Sequence, residues 1–215
     1  VTIMKKTLSI LLALALVFSF AACSKNQTNE NTTESTANQK TTATHTEQPT
    51  EESTKSENTA KSLVVYFSWS GNTEKVAKEI QSQTGSDIFE IVPKTPYSDD
   101  YDTVVADAKK EQQNNARPEI KDTIDNIDSY DTIYVGFPNW WGDMPMILYT
   151  FFDTYDLSGK KVALFCTSGG SGLSNTVNEV KELEPNATVT KGLHIGSSNA
   201  SNPKSYVENW LEEIK

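Results

Sequence analysis

From Lys61 onward the chain switches repeatedly between two hydrophobic periods. Ser62–Phe67 contains Leu63, Val64, Val65, Tyr66 and Phe67, a continuous apolar run that suits a strand covered on both faces. Asn72–Thr84 then places Val76, Ala77 and Ile80 at helical spacing, and Gly85 stops the helix. The alternation continues with strands at Asp87–Val92, Thr132–Phe137, Lys161–Thr167 and Thr188–Ile195, the last with the weakest pattern. Helices fall between and after them, at Asp100–Asn114, Met144–Tyr155, Leu173–Leu183 and Pro203–Ile214. Val104, Val105 and Ala108 share one helical face, and Tyr206, Val207, Trp210 and Leu211 are expected to point inward from the last helix. Strands alternating with helices predict right-handed crossovers and a doubly wound, five-stranded parallel α/β sheet with helices on both faces. Ligands bind such sheets at the carboxyl ends of the strands, near the point where strand order reverses. The loops after the first, third and fourth strands are therefore the ones that carry candidate chemistry.

The pattern before residue 62 is different. Met4, Lys5 and Lys6 form a basic head, and an apolar run extends from Leu8 to Phe20, broken by Ser9 and Ser19. Small residues follow, and the run falls short of the about 20 apolar residues that span a bilayer, so it has the form of a signal peptide. Phe20-Ala21-Ala22-Cys23 resembles the lipobox of bacterial lipoproteins, although Phe20 stands where Leu is usual. The resemblance implies diacylation of Cys23 and lipid anchoring on the outer side of the cytoplasmic membrane. Residues 24–61 are rich in Thr, Asn, Glu, Ser, Gln and Lys, a composition that cannot offset its ordering entropy. The expected organisation is a leader over 1–23, a disordered polar tether over 24–61 and a folded domain over 62–215. His45 lies alone in the tether and is expected to be solvated.

Charge narrows the partners. The formal net charge is −10 and the pI about 4.7, which argues against nucleic acid and against a polybasic membrane surface. Contact with the membrane is expected through the lipid only. The acidity serves solubility or an acidic docking face for a basic redox partner. The two cysteines, Cys23 and Cys166, sit in different contexts, so no disulfide framework is expected.

The first loop, Ser68-Trp69-Ser70-Gly71-Asn72-Thr73, joins a buried strand to a helix. Its hydroxyls and the open helix N-terminus favour an anion. It contains no Lys or Arg, which suits one terminal phosphate rather than a metal-bound triphosphate. The residue types are also those of an ordinary helix N-cap. After the third strand comes Pro138-Asn139-Trp140-Trp141-Gly142-Asp143, where Pro138 keeps the backbone extended and adjacent tryptophans offer a planar ligand a partner. After the fourth comes Thr167-Ser168-Gly169-Gly170-Ser171-Gly172, whose glycines let backbone amides approach a ligand closely.

These three loops, in this order, resemble those of flavodoxins of the short-chain type. The resemblance implies FMN as cofactor, with Ser68, Ser70, Gly71, Asn72 and Thr73 around its phosphate and Trp69 over the phosphate or the ribityl chain. It implies that Pro138, Asn139, Trp140 and Trp141 meet the isoalloxazine ring, Trp140 the nearer. Thr167, Ser168, Gly169 and Gly170 would face its carbonyl edge, where backbone N–H groups favour negative charge on the ring. The loop after the fourth strand carries no aromatic residue, which leaves the outer flavin face open to a substrate or covered from elsewhere by Tyr97 or Tyr101. Cys166 is expected to be buried and inert, His194 to be structural, and Asp99, Asp100 and Asp102 to cap a helix rather than bind metal. The expected activity is electron transfer or oxidoreduction without a catalytic acid or base. A lipoprotein using the same pocket to capture another small ligand is the alternative.

Overall fold

The computed structural model describes residues 60–215. The leader with Cys23, and the tether as far as residue 59, lie outside the described residues. The strands are β1 (Ser62–Tyr66), β2 (Asp87–Glu90), β3 (Thr132–Pro138), β4 (Lys161–Ser168), β5 (Thr188–Val189) and β6 (Leu193–Gly196). The helices are α1 (Asn72–Thr84), α2 (Tyr101–Gln113), α3 (Met146–Thr154), α4 (Thr176–Leu183) and α5 (Lys204–Glu213). All pairings between strands of the sheet are parallel, in the order β2-β1-β3-β4-β5, with β6 also on β4. This is the expected doubly wound sheet, and its order reverses between β1 and β3.

The continuous apolar runs are explained by two cores. Leu63, Val65, Ile133, Val135 and Leu164 face one side, where α3 and α4 add Ile147, Leu148, Phe151 and Val180. Val64, Tyr66, Tyr134, Ala163 and Phe165 face the other, where α1 and α5 add Val76, Ala77, Ile80, Val207 and Trp210. Successive side chains of a strand point to opposite faces, so both sets must be apolar. The Phe165 ring lies over Gly136 so closely that a Cβ there would stand 2.1 Å from it.

The fifth strand departs from expectation. It is two short strands separated by Thr190–Gly192, one beside the start of β4 and one beside its end. The Lys191 carbonyl turns away to accept the indole N–H of Trp210 at 2.8 Å. Gly192 passes so close to Leu173 that a Cβ would meet it at 2.7 Å. Helix α3 starts two residues later than the pattern predicts, because Pro145 is extended and restricts Met144 before it. Helix α4 likewise starts at Thr176, since Ser174 sits at φ 51 and cannot continue a right-handed helix. Tyr206 is exposed rather than inward; Val207 and Trp210 fill the core instead.

Candidate functional site

The loop after β1 ends in Gly71, at φ 79, as the N-cap of α1 without any side-chain cap. The first turn of an α-helix leaves N–H groups without intrahelical acceptors, so this end favours an anion. The Ser68 hydroxyl oxygen is buried and has no hydrogen-bond partner among the described residues. A buried hydroxyl without a partner costs about 1–3 kcal/mol, and a phosphate oxygen would satisfy it. Ser70 is exposed, and Gly71 and Asn72 are half-buried. Thr73 is committed elsewhere: its hydroxyl meets that of Thr167 at 2.9 Å in the interior. The Trp69 indole N–H donates to the Ser98 carbonyl at 2.9 Å, and its ring lies 6.2 Å from that of Tyr101.

The loop after β3 is a tight turn closed by two backbone hydrogen bonds between Trp140 and Asp143, at 2.8 and 3.1 Å. Its central residues, Trp141 and Gly142, both have positive φ, 56 and 82. That conformation is strained for tryptophan. The Trp141 indole N–H holds it by donating to the Val105 carbonyl at 3.0 Å, and Lys109 Nζ lies 4.8 Å from the ring centre. Trp140 packs edge-on against Phe67 and Tyr97, with centroids 5.4 and 5.3 Å away. Pro138 ends β3 and pairs with Thr167. The Asn139 amide nitrogen donates to the Gly172 carbonyl and the Ser174 hydroxyl, both at 3.0 Å, while its oxygen accepts the Gly142 N–H at 3.1 Å. Asn139 thereby joins the second loop to the third.

In the loop after β4, the buried Ser168 hydroxyl accepts the N–H groups of Gly170 and Gly172 and lies 2.9 Å from His194 Nε2. Gly169 and Gly170 are exposed. The Cys166 thiol donates to the Gly172 carbonyl, and burial pushes its pKa up to about 12, so it stays protonated and inert. Asp100 caps α2 by accepting the Thr103 N–H at 2.9 Å.

Trp69, the second loop, Ser171 and α2 line a cleft of about 330 Å³ that includes Tyr101, Val104, Val105, Trp140 and Trp141; Ser68 and residues 70–73 do not line it. Both tryptophans of the pair border it. Tyr101, 66% exposed, stands at its rim, whereas Tyr97 is packed into the Phe67–Trp140 cluster and donates its hydroxyl to Glu111. The α2 wall escapes a reading confined to loops. Its sequence signals are Tyr101, already a candidate cover for the ligand, and Val105, the valine beside core residue Val104 that the core does not bury.

Behind the second loop the Tyr149 hydroxyl lies 3.0 Å from Asp143 Oδ2 and 3.4 Å from Glu179 Oε2. Burial, and then the hydrogen bond with Asp143, push the Glu179 pKa up to about 7.

The family model for flavodoxin matches residues 61–214. A protein from Bacteroides eggerthii, provisionally classed as a flavoprotein, is 31% identical, with a TM-score of 0.65 over 72% of this chain and 98% of its own. A flavoprotein from Lactobacillus acidophilus, solved in complex with FMN, is 30% identical, with a TM-score of 0.57 over 71% of this chain and 99% of its own. No curated protein matches. With the flavodoxin family model matching residues 61–214, across the whole of this doubly wound sheet, the chain belongs to the flavodoxin family.

Proposed function

We propose that this chain is an FMN-binding electron-transfer protein or oxidoreductase, held outside the cytoplasmic membrane by a lipid on Cys23. The buried Ser68 hydroxyl, without a partner among the described residues, beside the start of α1, which has no side-chain cap, is the observation that carries the cofactor assignment. The Lactobacillus acidophilus relative, solved with FMN, supports it. The residues present fit the cofactor. Ser68, Ser70 and Asn72 hold the phosphate together with the amides of the first turn of α1. Thr73 serves by fixing that turn to β4 through Thr167. The tryptophans 69, 140 and 141 supply the apolar walls for the ring, and the exposed backbone at Gly169 and Ser171 supplies its polar edge, the Gly170 N–H being held by Ser168.

FMN, when bound, supplies one- and two-electron transfer. The chain's own part is to exclude water with aromatic walls and to present backbone dipoles. No side chain is needed as an acid or base. Tyr101 and Trp141 stand at the rim, so a substrate or redox partner meets the site there.

Uptake of FMN by the full chain tests the assignment. After incubation and desalting, the bound fraction should show flavin bands near ~375 and ~450 nm. A folded but colourless protein would overturn it and favour capture of another small ligand. For the anchor, Cys23→Ser should move the chain from the detergent phase to the aqueous phase.

A further inference from the structure

Ser168 Oγ is 2.9 Å from His194 Nε2, and it receives the N–H groups of Gly170 at 3.2 Å and Gly172 at 3.1 Å. A hydroxyl has two lone pairs and one proton. Both lone pairs are taken by backbone donors, so the proton must go to His194. Nε2 is therefore an acceptor, and the imidazole carries its proton on Nδ1.

The interrupted edge of the sheet makes this contact. After the break at Thr190–Gly192, β6 pairs with the end of β4, with His194 opposite Cys166 and Gly196 opposite Ser168. Leu193 and Ile195 fill the core on the α1 and α5 side, so His194 faces the opposite side. Cys166 faces that side too, and Ser168, two residues on, shares it.

We propose that His194 is a positioning residue for the cofactor loop. Its unprotonated Nε2 aims the Ser168 hydroxyl, which pins the amides of Gly170 and Gly172 inward. The amides of Gly169 and Ser171 stay outside this closed network and are the ones offered to the ligand. The inference rests on the FMN reading above. His194 acts through Ser168 and makes no contact with the cofactor itself.

Two measurements on the full chain test it. The chain has two histidines, so His45→Gln leaves a single imidazole for ¹⁵N NMR. Without FMN, long-range ¹⁵N–¹H correlations should show a neutral ring protonated on Nδ1; a ring protonated on Nε2 overturns the proposal. In FMN titrations followed by fluorescence at neutral pH, His194→Leu should bind about tenfold more weakly, the loss expected for one hydrogen bond. His194→Gln, whose amide oxygen can take the Ser168 proton, should restore binding to within about threefold of the unaltered chain. Equal binding by His194→Leu overturns the proposal, as does failure of His194→Gln to restore what His194→Leu loses. If His194→Leu does not fold, Ser168→Ala is the replacement and should show the same weakening; undiminished binding again overturns it. An unaltered chain that takes up no FMN refutes the cofactor reading. The tautomer then decides the hydrogen-bond assignment separately.

Discussion

The hydroxyls of Thr73 and Thr167 meet at 2.9 Å inside the protein, tying the first turn of α1 to the end of β4. The pair couples the loop after β1 to the loop after β4 through the interior rather than through a ligand. Thr73→Val removes one partner and leaves the Thr167 hydroxyl buried alone, at a cost of about 1–3 kcal/mol. Calorimetry should show Tm lowered by about 2–12 °C for a domain of this size. An unchanged Tm would mean that the two hydroxyls do not depend on each other.

Ser68 behaves in the opposite way. Its hydroxyl has no partner within the described residues, so Ser68→Ala should leave the ligand-free protein as stable as before or slightly more so. FMN affinity should nevertheless fall by about tenfold, because a hydrogen bond to a charged phosphate is lost. Paired unfolding and titration curves check both signs. A parallel loss of stability and affinity would mark Ser68 as structural.

The adjacent tryptophans should separate by stability. Trp140 is wedged between Phe67 and Tyr97, and Trp140→Ala should cost about 2–4 kcal/mol in denaturant unfolding. Trp141 is 51% exposed and in a left-handed conformation, so Trp141→Gly should cost less than about 1 kcal/mol. Both should reduce FMN retention on desalting.

Glu179 predicts a dependence on pH. Its pKa rises from an ordinary 4.5 to about 7 in the folded chain, chiefly through burial. The folded state binds this proton more tightly than the unfolded state, so stability is lost as pH rises from 4.5 through 7. Glu179→Gln removes that loss. Allowing for the group's partial exposure, the gain is about 1 kcal/mol, or about 2–4 °C in Tm, at pH 8. At pH 4 the substitution should change little. A gain of the same size at both pH values would rule out the ionisation of Glu179 as its source.

Gly136→Ala should be the most damaging of these changes. A methyl group at that position overlaps the Phe165 ring, and both residues lie in the centre of the sheet. A loss above about 3 kcal/mol is expected from overpacking, measured by urea unfolding.

The two-sided burial of β1, β3 and β4 was legible because their apolar runs leave no polar face. The short edge strand was not: Lys191 and Gly192 carry no periodic signal, and their path is set by Trp210 and Leu173. The loop after β1 could be singled out as the proposed phosphate site from its composition and its place after a buried strand. Composition alone could not distinguish Ser68, without a partner among the described residues, from Thr73, paired with a residue 94 positions away. The resemblance assigns Asn139, in the loop after β3, to the ring, but its structural task, bridging to Gly172 and Ser174, depends on contacts distant in sequence. His194 was expected to be structural, and only its distance to Ser168 gives it a specific role.

The break in the outer strand also affects how molecules meet. An unpaired sheet edge can template a strand from a neighbouring chain. Here β5 offers only the two residues Thr188 and Val189, and the backbone then diverts toward Trp210 before β6 begins. At the opposite margin β2 runs for four residues. Edges this short give an incoming strand few consecutive hydrogen bonds, so crowded copies of the domain have little means of joining sheet to sheet.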